Sequence, residues 1–168
     1  MTTRTTSIRR AREADLGGLS KVFDASWREA YRGIIPGVAL ERLIATRDRA
    51  WWQGALRRGR PIAVVETGDL VVGYAVYGRT RSRALGTEAE IDELYLLPEY
   101  QGVGLGRRLF RAVRNDLADH GLARLGVWTL EDNARAGAFY AGLGGLAGPQ
   151  ALDRVAGVPL PKVGYLFG

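Results

Sequence analysis

Across residues 90–117 the spacing of apolar positions changes from that of a strand to that of a helix. Residues 91–97 form an apolar and aromatic run dense enough for a strand, while Leu105, Leu109, Ala112, Val113 and Leu117 recur at the spacing of one helix face. A strand therefore runs into a helix. The turn between them holds Pro98, which has no amide hydrogen for a ladder, and Gly102, Gly104 and Gly106, which let backbone approach a ligand closely. The first amides of a helix have no intrahelical partner and carry partial positive charge, so a phosphate or pyrophosphate suits this turn.

The same patterning orders the rest of the chain. Residues 7–10 read as a short first strand, and Asp15 as the N-cap of a helix whose apolar face runs through Leu16, Leu19, Val22, Phe23, Trp27 and Tyr31. Gly33 and Pro36-Gly37 break that helix, and residues 38–44 and 47–56 follow as short helices. Residues 61–66 and 70–78 are β-rich and flank Thr67-Gly68-Asp69, a hairpin signature. After the 91–97 strand and its helix come a strand at 125–130, a helix from Asn133 to Gly142, and strands near 146–152 and 163–167, with 157–161 as the last turn. This order predicts one domain over residues 1–168, an α/β three-layer fold with helices on both faces of a mixed sheet.

Composition narrows the chemistry. There is no cysteine, which excludes disulfides and a thiolate nucleophile, and His120 is the sole histidine, placed at a helix end just before Gly121. The net charge of +6 comes from basic residues of which only Lys21 and Lys162 are lysines. These arginines are scattered, with no basic arm and no zinc-finger or RNA-binding signature, so a nucleic-acid partner is not expected. No apolar run approaches the ~20 residues of a membrane span. The first six residues lack the apolar core of a signal peptide, and the expected location is the cytoplasm, away from membranes.

The turn Gln101-Gly102-Val103-Gly104-Leu105-Gly106 resembles the acyl-CoA pyrophosphate loop of the GNAT superfamily, whose pattern is Gln or Arg, two residues, Gly, any residue, then Gly or Ala. A P-loop would need Gly-Lys-Ser/Thr at its end, where this chain has Gly106-Arg107-Arg108, and a dinucleotide fold would need a longer run of βα units after the loop. A second match is Asn133 with Tyr140, seven residues or two helical turns apart and so on one helix face. A third is the phrase Ser26-Trp27-Arg28-Glu29-Ala30-Tyr31-Arg32-Gly33-Ile34-Ile35-Pro36, similar to a segment that helps wall the acceptor site in small bacterial members. The family's usual aromatic after the second helix is absent, since Leu143-Gly144-Gly145 stands there.

The resemblance implies a GNAT-like fold with a mostly antiparallel sheet of about six or seven strands, and an N-acetyltransferase that uses acetyl-CoA as co-substrate. It implies that pantetheine lies along Leu94, Tyr95 and Leu96, that Gln101, Gly102, Val103, Gly104, Leu105, Gly106 and Arg107 hold the pyrophosphate, and that Asn133 and Tyr140 contact the tail. Tyr140 would be the general acid for the departing thiolate, unless it is only a half-buried helix tyrosine. Glu93 would be the base, directly or through water, and Trp27, Tyr31 and Trp128 would meet the acceptor, unless the first two are only a packing stripe. Arg107 and Arg108 oppose the helix dipole, a conflict that a bound phosphate would remove. Glu88, Glu90, Asp92, Glu93 and Glu99 make that edge acidic, which favours a small cationic amine. The expected route is direct attack of the amine with no metal, and family habit suggests a homodimer. A non-catalytic acyl-CoA sensor and a basic nucleic-acid-binding domain are the alternatives.

Overall fold

The computed structural model describes residues 4–168, so positions 1–3 of the N-terminal stretch considered above lie outside the described residues. The elements are β1 (Thr6–Arg10), α1 (Leu16–Tyr31), α2 (Gly37–Thr46), α3 (Arg49–Arg57), β2 (Ile62–Thr67), β3 (Leu70–Arg79), β4 (Ala89–Leu96), α4 (Leu105–Asp119), β5 (Leu125–Leu130), α5 (Ala134–Gly142), β6 (Leu146–Val155) and β7 (Val158–Phe167). The sheet has the order β1-β2-β3-β4-β5-β7-β6, with β4 and β5 parallel. The pairs β1–β2, β2–β3, β5–β7 and β6–β7 are antiparallel, so the expected mixed, mostly antiparallel sheet is found, with seven strands. No helix among the described residues is long and apolar enough to cross a membrane.

The chain divides into two compact units, one of residues up to Val76 with Glu93–Val113, the other of Tyr77–Asp92 with Arg114–Gly168. In the first unit the β2–β3 hairpin closes on the two residues Gly68 and Asp69, and Gly68 takes the positive φ of 62° that the tight turn demands. Helix α1 buries Leu16, Leu19, Val22 and Phe23, and Trp52 of α3 and Tyr74 of β3 are fully enclosed. Close backbone approach decides one position. A Cβ at Gly73 would fall 2.3 Å from Leu96 Cδ2 and 2.8 Å from the Tyr95 carbonyl oxygen, so β3 meets the end of β4 only because residue 73 has no side chain.

Asp15 departs from its expected role. It stands before Leu16, but its carboxylate makes no side-chain cap of α1. Instead both oxygens take the Arg9 guanidinium, at 2.7 and 2.8 Å, and Oδ2 also accepts the Arg12 amide at 2.8 Å. Arg9 in turn donates to Glu66 at 2.9 Å. A buried carboxylate gains more from a guanidinium fork than from one helix amide, so the cap is forgone.

In the second unit, β5 is fully paired to β7 from Leu125↔Phe167 to Leu130↔Lys162, whereas its parallel ladder with β4 covers only Ala89↔Leu125 to Ile91↔Val127. The turn placed at 157–161 is instead Ala156-Gly157, with φ of 51° and 76°, and Pro159 and Pro161 belong to β7. The carbonyl of Pro161 accepts from the Glu131 amide, so the nitrogen of that residue faces the same side, away from the β6 ladder, where its missing hydrogen costs no bond to β6. Helix α5 ends in a Schellman pattern, with Gly145 N–H on the Tyr140 carbonyl and Gly144 N–H on that of Ala141, and Gly144 at φ 94°.

The Asp15 carboxyl is held below the usual carboxylate range, chiefly by the hydrogen bonds from Arg9. A depressed carboxyl stabilises the fold above its unfolded-state value and loses that contribution as pH falls through the folded-state value. Urea denaturation of Asp15→Asn should therefore show a loss of about 3 kcal/mol at pH 7, and the gap to wild type should narrow as pH falls below the usual carboxylate range.

Candidate active site

In the first unit, β4 hands the chain to α4 through a 3-10 turn at Pro98–Tyr100 and the glycine loop. The junction is tied down at the last β4 carbonyl. Leu96 O accepts from Gln101 Nε2 at 3.1 Å and from Ser26 Oγ at 3.4 Å, and Gln101 Nε2 also reaches Glu29 Oε2 at 3.3 Å. Gly102 and Gly104 hold φ of 76° and 85°, a region where any other residue is strained, and a Cβ on either would meet nothing within 4 Å. Gly106 differs, lying inside the first turn of α4. The Arg108 amide bonds the Gly104 carbonyl at 3.1 Å as the first i to i−4 link, which leaves the amides of Leu105, Gly106 and Arg107 outside the helical ladder. Val103 is 69% exposed beside them. Arg107 and Arg108 are exposed and have no ion pair among the described residues. Open space, spare amides and two arginines without ion pairs among the described residues thus meet at this helix N-terminus, a combination that suits an anion.

Glu93 sits farther back on β4 and is firmly held. Arg47, between α2 and α3, donates to its Oε1 at 2.8 Å and Oε2 at 3.2 Å, and the Tyr74 hydroxyl donates to Oε2 at 3.3 Å. Burial, with the charge of Glu93 next, pushes the Tyr74 phenol well above its ordinary range, so it serves only as a donor. Tyr95, two residues on, shares the face, its ring 5.8 Å from that of Tyr74. Leu94 is half-buried and Leu96 buried. Trp27 and Tyr31 stack on one another at 4.6 Å, with Phe23 4.8 Å from Trp27, so the stripe expected along α1 exists. The Trp27 indole nitrogen is buried without a hydrogen-bond partner among the described residues.

In the second unit, Asn133 caps α5, its Oδ1 accepting the Ala136 amide at 3.1 Å. Tyr140 is 5% exposed, packed among the rings of Phe139, Tyr165 and Phe167. Desolvation raises its phenol above the ordinary range, which keeps it protonated at neutral pH. The Trp128 indole donates to Ser82 Oγ at 3.1 Å, and Lys162 Nζ lies 4.7 Å from its ring centre. Thr129 Oγ1 is buried without a partner. Glu90 and Asp92 of the acidic edge each have partners. Glu90 accepts from Thr80 and the Arg81 amide, Asp92 pairs with Arg81 at 2.8 Å, and Glu88 takes the Ala123 and Arg124 amides, which hold it below the usual carboxylate range.

The contacts of Arg47 and Tyr74 with Glu93 were not legible in the sequence. Arg47 meets Glu93 across 46 positions, and no local pattern distinguishes it among the arginines.

The model of the acetyltransferase (GNAT) family matches residues 21–144. The chain is 32% identical to the uncharacterized N-acetyltransferase YuaI of Bacillus subtilis (strain 168), over 94% of this chain and 90% of that one. It is 27% identical to the L-amino acid N-acyltransferase MnaT of Escherichia coli (strain K12), over 96% and 87%. Among solved structures, the PaiA N-acetyltransferase of Thermoplasma acidophilum, in complex with coenzyme A, shares the fold with a TM-score of 0.74 at 19% identity, over 95% of this chain and 98% of that one.

The positive φ of Gly104 predicts that Gly104→Ala, despite the open space, lowers stability by about 1 kcal/mol through backbone strain alone. Thermal melts set against Gly17→Ala, a helical position equally open, check this, since that variant should not be destabilised.

Proposed function

The chain belongs to the acetyltransferase (GNAT) family and is an acyltransferase, and on that premise we propose that it moves the acetyl group of acetyl-CoA to a small primary amine, all of residues 1–168 acting as one domain. The observation that carries the proposal is the α4 N-terminus, with the spare amides of residues 105–107 beside two left-handed glycines and Arg107. There Gln101, Gly102, Val103, Gly104, Leu105, Gly106 and Arg107 hold the pyrophosphate. Gln101 acts by fixing the loop to the end of β4. Leu94, Tyr95 and Leu96 offer strand backbone to the pantetheine amides, and Asn133, whose amide nitrogen is spared by its capping oxygen, adds a donor.

In the proposed reaction the neutral amine attacks the thioester carbonyl, the carbon–nitrogen bond forms, and the carbon–sulfur bond breaks. The amine's surplus proton passes to Glu93, directly or through water, and Tyr140 gives its proton to the departing thiolate. Products are the N-acetyl amine and free CoA thiol. Trp27, Tyr31 and Trp128 are the rings proposed to meet the acceptor. The acidic residues 88–99 support an acceptor that is cationic in solution. The pairings of Glu93 with Arg47 and of Asp92 with Arg81 favour a second acceptor class, an amino acid whose carboxylate offsets its ammonium, the class named for MnaT. A cytoplasmic homodimer joined at β6, where Leu146 and Leu152 are exposed, completes the proposal.

A screen of amines for thiol release from acetyl-CoA tests it. Tyr140→Phe and Glu93→Gln should each lower kcat by about 100-fold or more, with acetyl-CoA affinity kept. Binding of acetyl-CoA with no turnover on any amine would instead mark a sensor.

A further inference from the structure

Arg47 is built into its place more firmly than a surface ion pair requires. Its amide bonds the Ile44 carbonyl at 3.1 Å, ending α2, and its own carbonyl accepts Ser20 Oγ from α1 at 3.3 Å. The guanidinium carbon lies 3.9 Å from the Trp51 ring centre, 4.4 Å from that of Phe23 and 5.5 Å from that of Trp52. Three rings from two helices thus grip a cation that is 19% exposed, and its fork meets a carboxylate that is 12% exposed. Backbone, rings and carboxylate leave the side chain one orientation.

We infer that Arg47 is a positioning residue for the acceptor step: gripped by Phe23, Trp51 and Trp52, it aims the Glu93 carboxylate so that a single lone-pair direction stays open to the acceptor amine or its water. A carboxylate offers about four lone-pair sites. Arg47 takes one on each oxygen and Tyr74 a second on Oε2, so the remaining one is on Oε1. The charged and titratable groups that meet Glu93 are Arg47 from the α2–α3 connection and Tyr74 from β3, while Tyr95 of its own strand packs on the Tyr74 ring and α1 brings the Phe23 ring to Arg47. Lysine cannot replace this, because a point charge neither forks nor stacks flat.

The inference rests on Glu93 being the base. Its test is thiol release from acetyl-CoA with the best amine of the screen, for wild type, Arg47→Ala, Arg47→Lys and Glu93→Gln, with and without millimolar guanidinium. Arg47→Ala should lose about 100-fold in kcat while calorimetric affinity for acetyl-CoA stays within about twofold. Guanidinium should restore at least tenfold to Arg47→Ala, and nothing to Glu93→Gln. Arg47→Lys, which keeps charge and bulk, should stay slow. A loss that guanidinium does not restore, or full activity in folded Arg47→Lys, would overturn the positioning role. Failure of the underlying proposal shows differently, as full turnover by Glu93→Gln.

Discussion

The structure turns on a constraint at one junction: a strand must become a helix within nine residues, and the first amides of that helix are left without partners. Between Leu96 and Leu105 the chain uses a 3-10 turn and two left-handed glycines, and Ser26 and Gln101 anchor the strand end by its last carbonyl. Gly73 lets that strand end lie against β3. Three helix amides and two exposed arginines then share one local positive field, which an anion would neutralise. Folding fixes the junction in advance, so under the proposed function the amides need no reorientation to meet a phosphate.

Charge elsewhere is handled in the opposite way, by neutralisation close at hand. Asp15 is matched to Arg9, Asp92 to Arg81 and Glu93 to Arg47. The acidic strand edge is therefore less acidic than its residue types suggest. The Glu93 carboxylate is held in a fixed frame by Arg47 and Tyr74, and burial among its ring neighbours keeps the Tyr140 phenol protonated. The proposed reaction asks one group to accept a proton and the other to retain one.

The β4 to α4 passage was legible because both periodicities are local and the glycine spacing is a backbone signature. The same holds for Asn133, whose capping role is decided within three residues, and for the 125–130 strand. Long-range partners were not legible. Asp15 looks like a helix cap until Arg9 and the turn at Arg12 claim its oxygens, and Glu93 looks like an open base until Arg47 and Tyr74 arrive from other elements. The final hairpin misled for a different reason. Prolines normally mark turns, yet those of β7 have no β6 ladder bond to lose, and Ala156 accepts the left-handed conformation that glycine usually takes.

The most direct measurement is a calorimetric titration of the whole protein with acetyl-CoA, beside Gly104→Trp, whose indole would fill the space over the helix amides. Micromolar binding by wild type that disappears in a variant with an unchanged far-ultraviolet circular dichroism spectrum is the predicted result. Equal binding by both proteins, or none by wild type, would contradict the assignment of the α4 N-terminus as the pyrophosphate site.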